Sequence, residues 1–489
     1  MTFAETRSWN EVRAAFQKIW GYEDFRPPQG EIVRSLLENR DALIVMPTGG
    51  GKSICFQLPA LLQTGLTLVI SPLVALMENQ VAELRQKKLP AALLHSELPS
   101  SDRSQTLKAL EKQQLRLLYL SPETLLSKPV WERLSQPQMR INGLILDEAH
   151  CLVQWGETFR PAYRRLGAVR STLLESKPPG TKIAIAAFTA TADPAAQKTI
   201  REVLQLQQPD VFLLNPYRPN LNLKVQTIWT PRGRRQQLLK FIGSKPKQAG
   251  LVYVRTRRDS EELTQFLLER GYTTAAYHAG LSPEKRRAIE ASWSSGATPF
   301  VICTCAFGMG INKSNVRWIV HFQPAFLLSE YVQEIGRAGR DGNSAEALML
   351  VSEPTGWLDP ADKQRQQFFH SQELKQRQMA RQLIDRISQQ GHIDTVARQF
   401  PQGAIALSLL HASGQVQWQD PFHYQIDRSA VSQSASQASA IEQMNQYLRT
   451  KNCRWKFILE AFGFSREAAS LKGGCGHCDR CRPPKQRLT

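Results

Sequence analysis

The chain has 489 residues, 42% of them hydrophobic, and a formal net charge of +19 from 62 Lys+Arg against 43 Asp+Glu. This length and apolar content exclude a disordered or fibrous chain and suggest about three domains, and the basic excess favours a polyanion such as nucleic acid as partner. No apolar stretch reaches the roughly 18 residues of a membrane span, and Met1-Thr2-Phe3-Ala4-Glu5 lacks the basic and apolar regions of a signal peptide, which predicts a cytoplasmic protein with no membrane partner.

From the N-terminus, the first decisive element is an apolar run at 42–45 that leads into Met46-Pro47-Thr48-Gly49-Gly50-Gly51-Lys52-Ser53 and then a helical stretch. A strand, a glycine-rich turn and a helix opening at Lys-Ser make a cup of backbone N–H groups at a positive helix end, which suits a triphosphate. Gly49, Gly50 and Gly51 let the backbone approach the phosphates, Lys52 would neutralise the β- and γ-phosphates, and the Ser53 hydroxyl would ligate Mg²⁺. ATP is the expected nucleotide, although Met46 stands where the first glycine of the usual Gly-x4-Gly-Lys pattern belongs. Apolar runs at 66–70, 115–120, 144–146 and 183–188 alternate with helical stretches, the pattern of buried parallel strands with crossover helices. The third of these enters Asp147-Glu148-Ala149-His150. A carboxylate at the end of a buried strand is costly without a cation, so Asp147 reads as a Mg²⁺ ligand and Glu148 as the group that activates or orients the attacking water.

The strand pattern restarts at 250–254 and continues through 300–303, 318–322 and 347–351 without a second phosphate loop. The predicted fold class is α/β, two tandem lobes with parallel sheets closing on a shared ATP, the second lobe supplying cations. Tyr331-Val332-Gln333-Glu334-Ile335-Gly336-Arg337-Ala338-Gly339-Arg340-Asp341-Gly342 sets Arg337 and Arg340 on one face if helical, suited to the charge on a transferring γ-phosphoryl group. Beyond it, 379–389, 393–400 and 404–411 read as helical and 414–426 as a β-hairpin, which suits a winged-helix-like insertion or else an irregular helical spacer. The Ser-, Ala- and Gln-rich 429–440 reads as a flexible linker. Of the eight cysteines, Cys55, Cys151, Cys303 and Cys305 lie in segments that read as core. Cys453, Cys475, Cys478 and Cys481 form a Cys-x21-Cys-x2-Cys-x2-Cys set whose tight spacing predicts one tetrahedral Zn²⁺, with His477 beside it rather than ligating. The expected domains are lobe 1 at 1–208, lobe 2 at 209–352, the insertion at 353–428, the linker at 429–440 and the zinc module at 441–489.

In this order the motifs resemble the bacterial RecQ-type superfamily 2 DNA helicases over residues 16–352 and the last 40 or so. The resemblance rests on Gly21-Tyr22-Glu23-Asp24-Phe25-Arg26-Pro27-Pro28-Gln29, the phosphate loop, Ser71-Pro72-Leu73-Val74-Ala75-Leu76-Met77, Asp147-Glu148-Ala149-His150-Cys151, Phe188-Thr189-Ala190-Thr191-Ala192, Ala306-Phe307-Gly308-Met309-Gly310-Ile311-Asn312-Lys313 and the two-arginine block. It implies RecA-like lobes and further roles. Tyr22 and Arg26 would pack on the adenine, Gln29 would read its edge with an amide that donates and accepts, and Gln333 would join the nucleotide contacts. Trp155, Phe159 and Arg160 would bind single-stranded DNA and couple it to hydrolysis, rings stacking on bases and the guanidinium meeting a phosphate. Lys313 and Arg255 would be further strand contacts. Relatives usually carry histidine where this chain has Glu157, which predicts weaker or differently tuned stimulation by DNA.

The implied function is an ATP-dependent 3′-to-5′ helicase acting on single-stranded, duplex or branched DNA in repair and recombination, with single-strand-binding and other repair proteins as partners. Two other readings stay open: a DNA-stimulated translocase or strand-annealing factor without productive unwinding, and an RNA-remodelling helicase. Eight residues follow Cys481, so the terminal winged helix and helical nucleic-acid module of many relatives are expected to be absent. The segment 441–489 nevertheless holds ten Lys/Arg against four Asp/Glu, enough to grip duplex phosphates. Melting costs about 1.4 kcal/mol per base-pair step, and the inserted hairpin near Trp418 is the expected wedge. Losing one zinc cysteine is expected to unfold the C-terminal tail before it touches the chemistry.

Overall fold

The computed structural model describes residues 8–153, 160–307, 313–430 and 437–481. The chain divides into two compact units, one of Met1–Met46, Gly50–Leu214 and Glu373–Ala435, the other of Pro47–Gly49, Asn215–Gln372 and Ser436–Thr489.

In the first unit β1 (Ala42–Val45), β2 (Leu66–Ile70), β3 (Ala91–Leu94), β4 (Leu117–Leu120), β5 (Ile141–Leu146), β6 (Ala184–Thr189) and β7 (Asp210–Leu213) form a sheet in the order β3-β4-β2-β5-β6-β1-β7. Every pairing is parallel. Strands covered on both faces read as unbroken apolar runs, which is why the central ones were visible in the sequence. The edge strands β3 and β7 were not: Ala91 and Ala92 carry little strand signal, and Val211 and Leu213 on β7 are exposed. A buried pair fixes the start of β1. Arg170 Nη1 donates to both Asp41 oxygens at 2.8 and 2.6 Å, and the same carboxylate accepts from the Ile185 and Gln207 N–H groups.

The second unit carries β8 (Leu221–Ile228), β9 (Gly250–Tyr253), β10 (Thr274–Tyr277), β11 (Phe300–Cys303), β12 (Trp318–His321) and β13 (Ala345–Ser352) in the order β10-β11-β9-β12-β13-β8, again all parallel. Three helices, Gln437–Arg449, Arg454–Ala461 and Ser465–Ser470, follow in this unit. The first of them begins at Gln437, inside the expected linker, and ends at Arg449, before the second opens at Arg454.

The insertion opens with a 24-residue helix, Ala361–Ile384, much longer than the one read at 379–389. Helices Ile393–Gln399 and Gly403–Ala412 follow, with an antiparallel sheet of β14 (Gln390–His392), β15 (Val416–Trp418) and β16 (His423–Ile426) in the order β14-β16-β15. Leu383, Ile393, Val396, Leu407, Val416, Tyr424 and Ile426 give this module its own core. Its hairpin, the expected wedge, contacts the first lobe. The Phe422 ring meets Trp131 edge-on at 5.1 Å, and the Pro421 carbonyl accepts from Arg165 Nη1 at 3.2 Å, so the hairpin turn rests on the first lobe.

Candidate functional site

β1, β6 and β5 are neighbours in the first sheet, so their carboxyl ends place the glycine turn, Thr189 and Asp147 side by side, where open parallel sheets bind ligands. The glycine turn caps the helix Lys52–Leu62. Gly51 there has φ of +77°, and a Cβ would collide with Gln29 Nε2. Lys52 Nζ donates to the Met46 carbonyl at 3.3 Å, and Lys52 and Ser53 are both half-buried at the first helical turn. Gln29 is buried; its Oε1 accepts from the Arg26 N–H at 3.0 Å and its Nε2 donates to the Gly50 carbonyl at 2.9 Å. The amide therefore ties the Arg26 segment to the phosphate loop, a link that sequence reasoning missed. Tyr22 is 50% exposed, its ring 5.7 Å from Phe16, and Arg26 is exposed.

The end of β5 brings four side chains together. Glu148 turns the chain with φ of 52°, and its N–H donates to Asp147 Oδ1 at 3.0 Å. His150 Nδ1 lies 3.1 Å from Thr189 Oγ1 and 3.2 Å from Glu148 Oε2. The Thr189 hydroxyl donates to the Thr191 carbonyl at 3.0 Å, so it accepts from His150, which fixes a proton on Nδ1. Burial and then the adjacent Glu148 push the Asp147 carboxyl up to about 7, against the pull of Lys52. Burial disfavours the charged His150 imidazole, but Cys151 and Glu148 beside it outweigh this and raise it to about 10. Two buried carboxylates next to one lysine are a donor set that a hard dication fits. The His150–Thr189 contact went unassigned in the sequence, although Thr189-Ala190-Thr191 ending the neighbouring strand was its signal.

Trp155, Glu157 and Phe159 lie outside the described residues. Arg160 stands at their edge, its Nη1 3.4 Å from Glu123 Oε2.

In the second unit the helix Leu328–Ile335 stops before the arginines, which sit in the turn that follows rather than on a helical face. Asn220 Nδ2 donates to the Gly339 carbonyl at 2.8 Å, and Arg218 donates to the same oxygen, holding that turn. Arg337 is buried beside Tyr253, and Arg340 Nε donates to the Gly336 carbonyl at 3.4 Å. Burial and then the like charge of Arg337 push Arg340 down to about 10, strain that an anion would relieve. Gln333 is buried, with no partner for its Nε2 among the described residues. Lys313 Nζ donates to the Ser294 carbonyl at 2.9 Å and lies 5.5 Å from the Trp293 ring centre. Cys305 is exposed rather than core.

Arg255 is neither a strand contact nor solvated. Its side chain is only 6% exposed and packs against Glu334, Nη1 and Nη2 donating at 3.3 and 3.0 Å, and His321 Nε2 lies 2.7 Å from the same carboxylate. Burial disfavours the Glu334 charge, but Arg255 and His321 outweigh it and hold the carboxyl at about 2. A depressed carboxylate adds stability that is full above its unfolded value of about 4.3 and is lost as pH falls through the folded one, here roughly 3 kcal/mol. The urea midpoint of the second unit is expected to fall between about pH 4.5 and 2. Glu334→Ala, by stranding buried Arg255, is expected to cost about 3–5 kcal/mol at neutral pH. Urea midpoints within experimental error of the intact chain's would contradict both.

The four zinc-spaced cysteines come together. Their sulfurs lie within 4.8 Å of one another, with Cys475–Cys481, Cys453–Cys478 and Cys478–Cys481 at 3.9, 4.0 and 3.5 Å. A tetrahedron with Zn–S bonds of about 2.3 Å has edges of about 3.8 Å, so the set fits Zn²⁺. Asp479, within the cysteine run, escaped sequence reading. It accepts from Arg454 at 2.6 and 3.0 Å and from the Val225 N–H at 3.2 Å, and its own N–H donates to the Leu223 carbonyl at 2.9 Å. Trp455 Nε1 donates to the Leu221 carbonyl, Tyr447 and Tyr331 hydroxyls meet at 3.2 Å, and His477 Nε2 lies 3.2 Å from the Tyr217 hydroxyl. The zinc module is therefore packed into the lobe's core rather than hanging from it as a tail: Trp455, Ile458 and Cys478 lie in one cluster with Leu221, Leu223 and Tyr331.

The chain matches the DEAD/DEAH box helicase family over residues 26–200, the helicase conserved C-terminal domain over 233–342 and the RecQ zinc-binding family over 419–482. It is 52% identical over 477 residues to an ATP-dependent DNA helicase RecQ from Synechocystis sp., covering 96% of this chain and 98% of that one. To an ATP-dependent DNA helicase RecQ from Pasteurella multocida it is 38% identical over 342 residues, covering 70% of this chain and 52% of the relative. Among solved structures it is similar in fold to Mycobacterium smegmatis helicase Lhr bound to ssDNA and AMP-PNP, with TM-score 0.56 at 17% identity over 88% of this chain and 61% of that one. It is likewise similar to S. cerevisiae Dbp5 bound to RNA and ADP BeF3, with TM-score 0.56 at 15% identity over 74% and 93% of the two chains. Near-complete coverage of a RecQ relative, together with both helicase lobes and the zinc-binding match, places the chain in the RecQ family of ATP-dependent DNA helicases.

Proposed function

We propose that the chain is an ATP-driven motor that separates DNA strands, moving 3′ to 5′ on tailed or branched duplexes in repair and recombination. The observation that carries this reading is the convergence of Lys52, Asp147, Glu148, His150 and Thr189 at three neighbouring strand ends in a chain 52% identical to a DNA helicase. Gly49, Gly50, Gly51 and Lys52 hold the phosphates, while Tyr22, Arg26, Gln29 and Gln333 serve the nucleotide. Ser53 and Asp147 would hold Mg²⁺, which when bound screens the phosphate charge. Glu148, with its charge fixed by the His150 proton, orients the attacking water, and Arg337 and Arg340 neutralise the leaving and transferring oxygens. Trp155, Phe159, Arg160 and Lys313 serve the single strand. A cytoplasmic location near the nucleoid and contacts with other repair proteins belong to the same reading.

A second reading, translocation without unwinding, is favoured by one observation: the hairpin expected to act as wedge rests on the first lobe. The relatives matched by sequence carry DNA-helicase names, which speaks against an RNA substrate. Strand displacement from matched 3′-tailed DNA and RNA duplexes tests all three. Displacement of DNA alone is expected; hydrolysis without displacement selects the translocase, and displacement of RNA the remodelling activity.

A further inference from the structure

The insertion has the elements of a winged helix, a module that ordinarily meets nucleic acid through its last helix, and here that helix cannot do so. Gly403–Ala412, with the sequence Gly-Ala-Ile-Ala-Leu-Ser-Leu-Leu-His-Ala, has no Lys, Arg, Asp or Glu, and most of it is buried. A helix that is apolar on every face belongs in a protein interior. It packs on the 3-10 helix Pro161–Ala168 of the first lobe, where Ser408 Oγ donates to the Pro161 carbonyl at 3.1 Å. The hairpin reaches the same lobe through Phe422 on Trp131 and through the Arg165–Pro421 hydrogen bond. Asp394 of the module lies near the Arg165 guanidinium, and burial and then the nearby Arg164 charge hold His411 neutral. Both surfaces that would meet DNA are thus spent on the chain itself.

What they hold leads toward the chemistry. Ala162, Tyr163 and Leu166 of the braced helix share a core with Ala149 and Leu152 of the short 3-10 helix Ala149–Leu152. That short helix carries His150, which touches Glu148 and Thr189. We propose that the inserted module is an internal brace whose docking on Trp131 and Pro161–Ala168 positions the Glu148–His150 segment for ATP hydrolysis. Ser408, Phe422, Trp131 and Arg165 are then positioning residues, acting through the packed core rather than on substrate. The inference rests on the proposed role of Glu148.

The test is steady-state ATP hydrolysis by the full chain, with and without saturating oligo-dT. Phe422→Ala is expected to lower kcat about three- to tenfold in both conditions while KM for ATP stays within about twofold, because the phosphate loop is untouched. Phe422→Tyr, which keeps the ring against Trp131, is expected to restore most of the loss. Ser408→Ala, a milder change that spares the module's core, is expected to shift kcat in the same direction by about twofold and keeps the test open if Phe422→Ala fails to fold. Unchanged kcat in folded Phe422→Ala and Ser408→Ala overturns the brace. A raised Kd for a fluorescent 3′-tailed duplex at unchanged kcat overturns it too, making the module a DNA-docking element. Wild-type hydrolysis measured beside Glu148→Gln separates failure of the brace from failure of the assigned role of Glu148.

Discussion

Glu148→Gln is expected to lower ATP turnover by about 10²- to 10⁴-fold while leaving ATP affinity within about threefold of the intact chain. The amide has nearly the carboxylate's shape, so the left-handed turn after β5 and the Glu148 N–H bond to Asp147 are kept. What goes is the charge that His150 Nδ1 faces at 3.2 Å and that could orient a water. Lys52, Ser53 and the Gln29–Gly50 tie lie on other segments and keep their contacts, so nucleotide binding survives. Single-turnover hydrolysis beside equilibrium titration with a fluorescent ATP analogue separates the two effects. Turnover within about tenfold of the intact chain would remove Glu148 from the chemistry.

Cys478→Ser, or stripping the metal with a chelator, is expected to cost the second unit its cooperative unfolding. A structural zinc site supplies on the order of 10 kcal/mol or more to folding, comparable with the whole stability of an ordinary domain. Cys478 is buried in the same cluster as β8 residues and Tyr331, and Asp479 next to it pins Arg454 and β8 together. Tyr331 lies on the helix that also carries Gln333 and leads to Arg337, so disorder starting at the metal reaches residues assigned to the nucleotide. A lowered, broadened thermal transition and loss of ATPase together are the expected result. A variant that lacks zinc yet keeps the intact chain's melting curve and ATPase would show the module to be separable after all.

The parts legible in the sequence are those whose chemistry is local. The glycine loop, Asp147-Glu148 and the close-set cysteines announce themselves because ligand spacing is set within a few residues of chain. The central strands are legible for a related reason, since burial on both faces leaves unbroken apolar runs. β8 was not, because Asn222, Lys224 and Gln226 alternate with its apolar positions at a sheet edge. Contacts between distant segments were hidden altogether. Arg255 reads as a strand contact in the sequence and meets Glu334 in the fold; Asp479 carries no sequence signal and meets β8; and the hairpin near Trp418 reads as a wedge, while its turn meets Trp131 and Arg165. Each depends on a partner far away in sequence, which spacing alone cannot supply.

The most direct test of the motor is displacement of the short strand from a 3′-tailed DNA duplex by the intact chain and by Lys52→Ala. ATP-dependent displacement by the intact chain, lost in the variant together with DNA-stimulated hydrolysis, is the predicted result. DNA-stimulated hydrolysis by the intact chain with no strand released would contradict the helicase reading and leave a translocase.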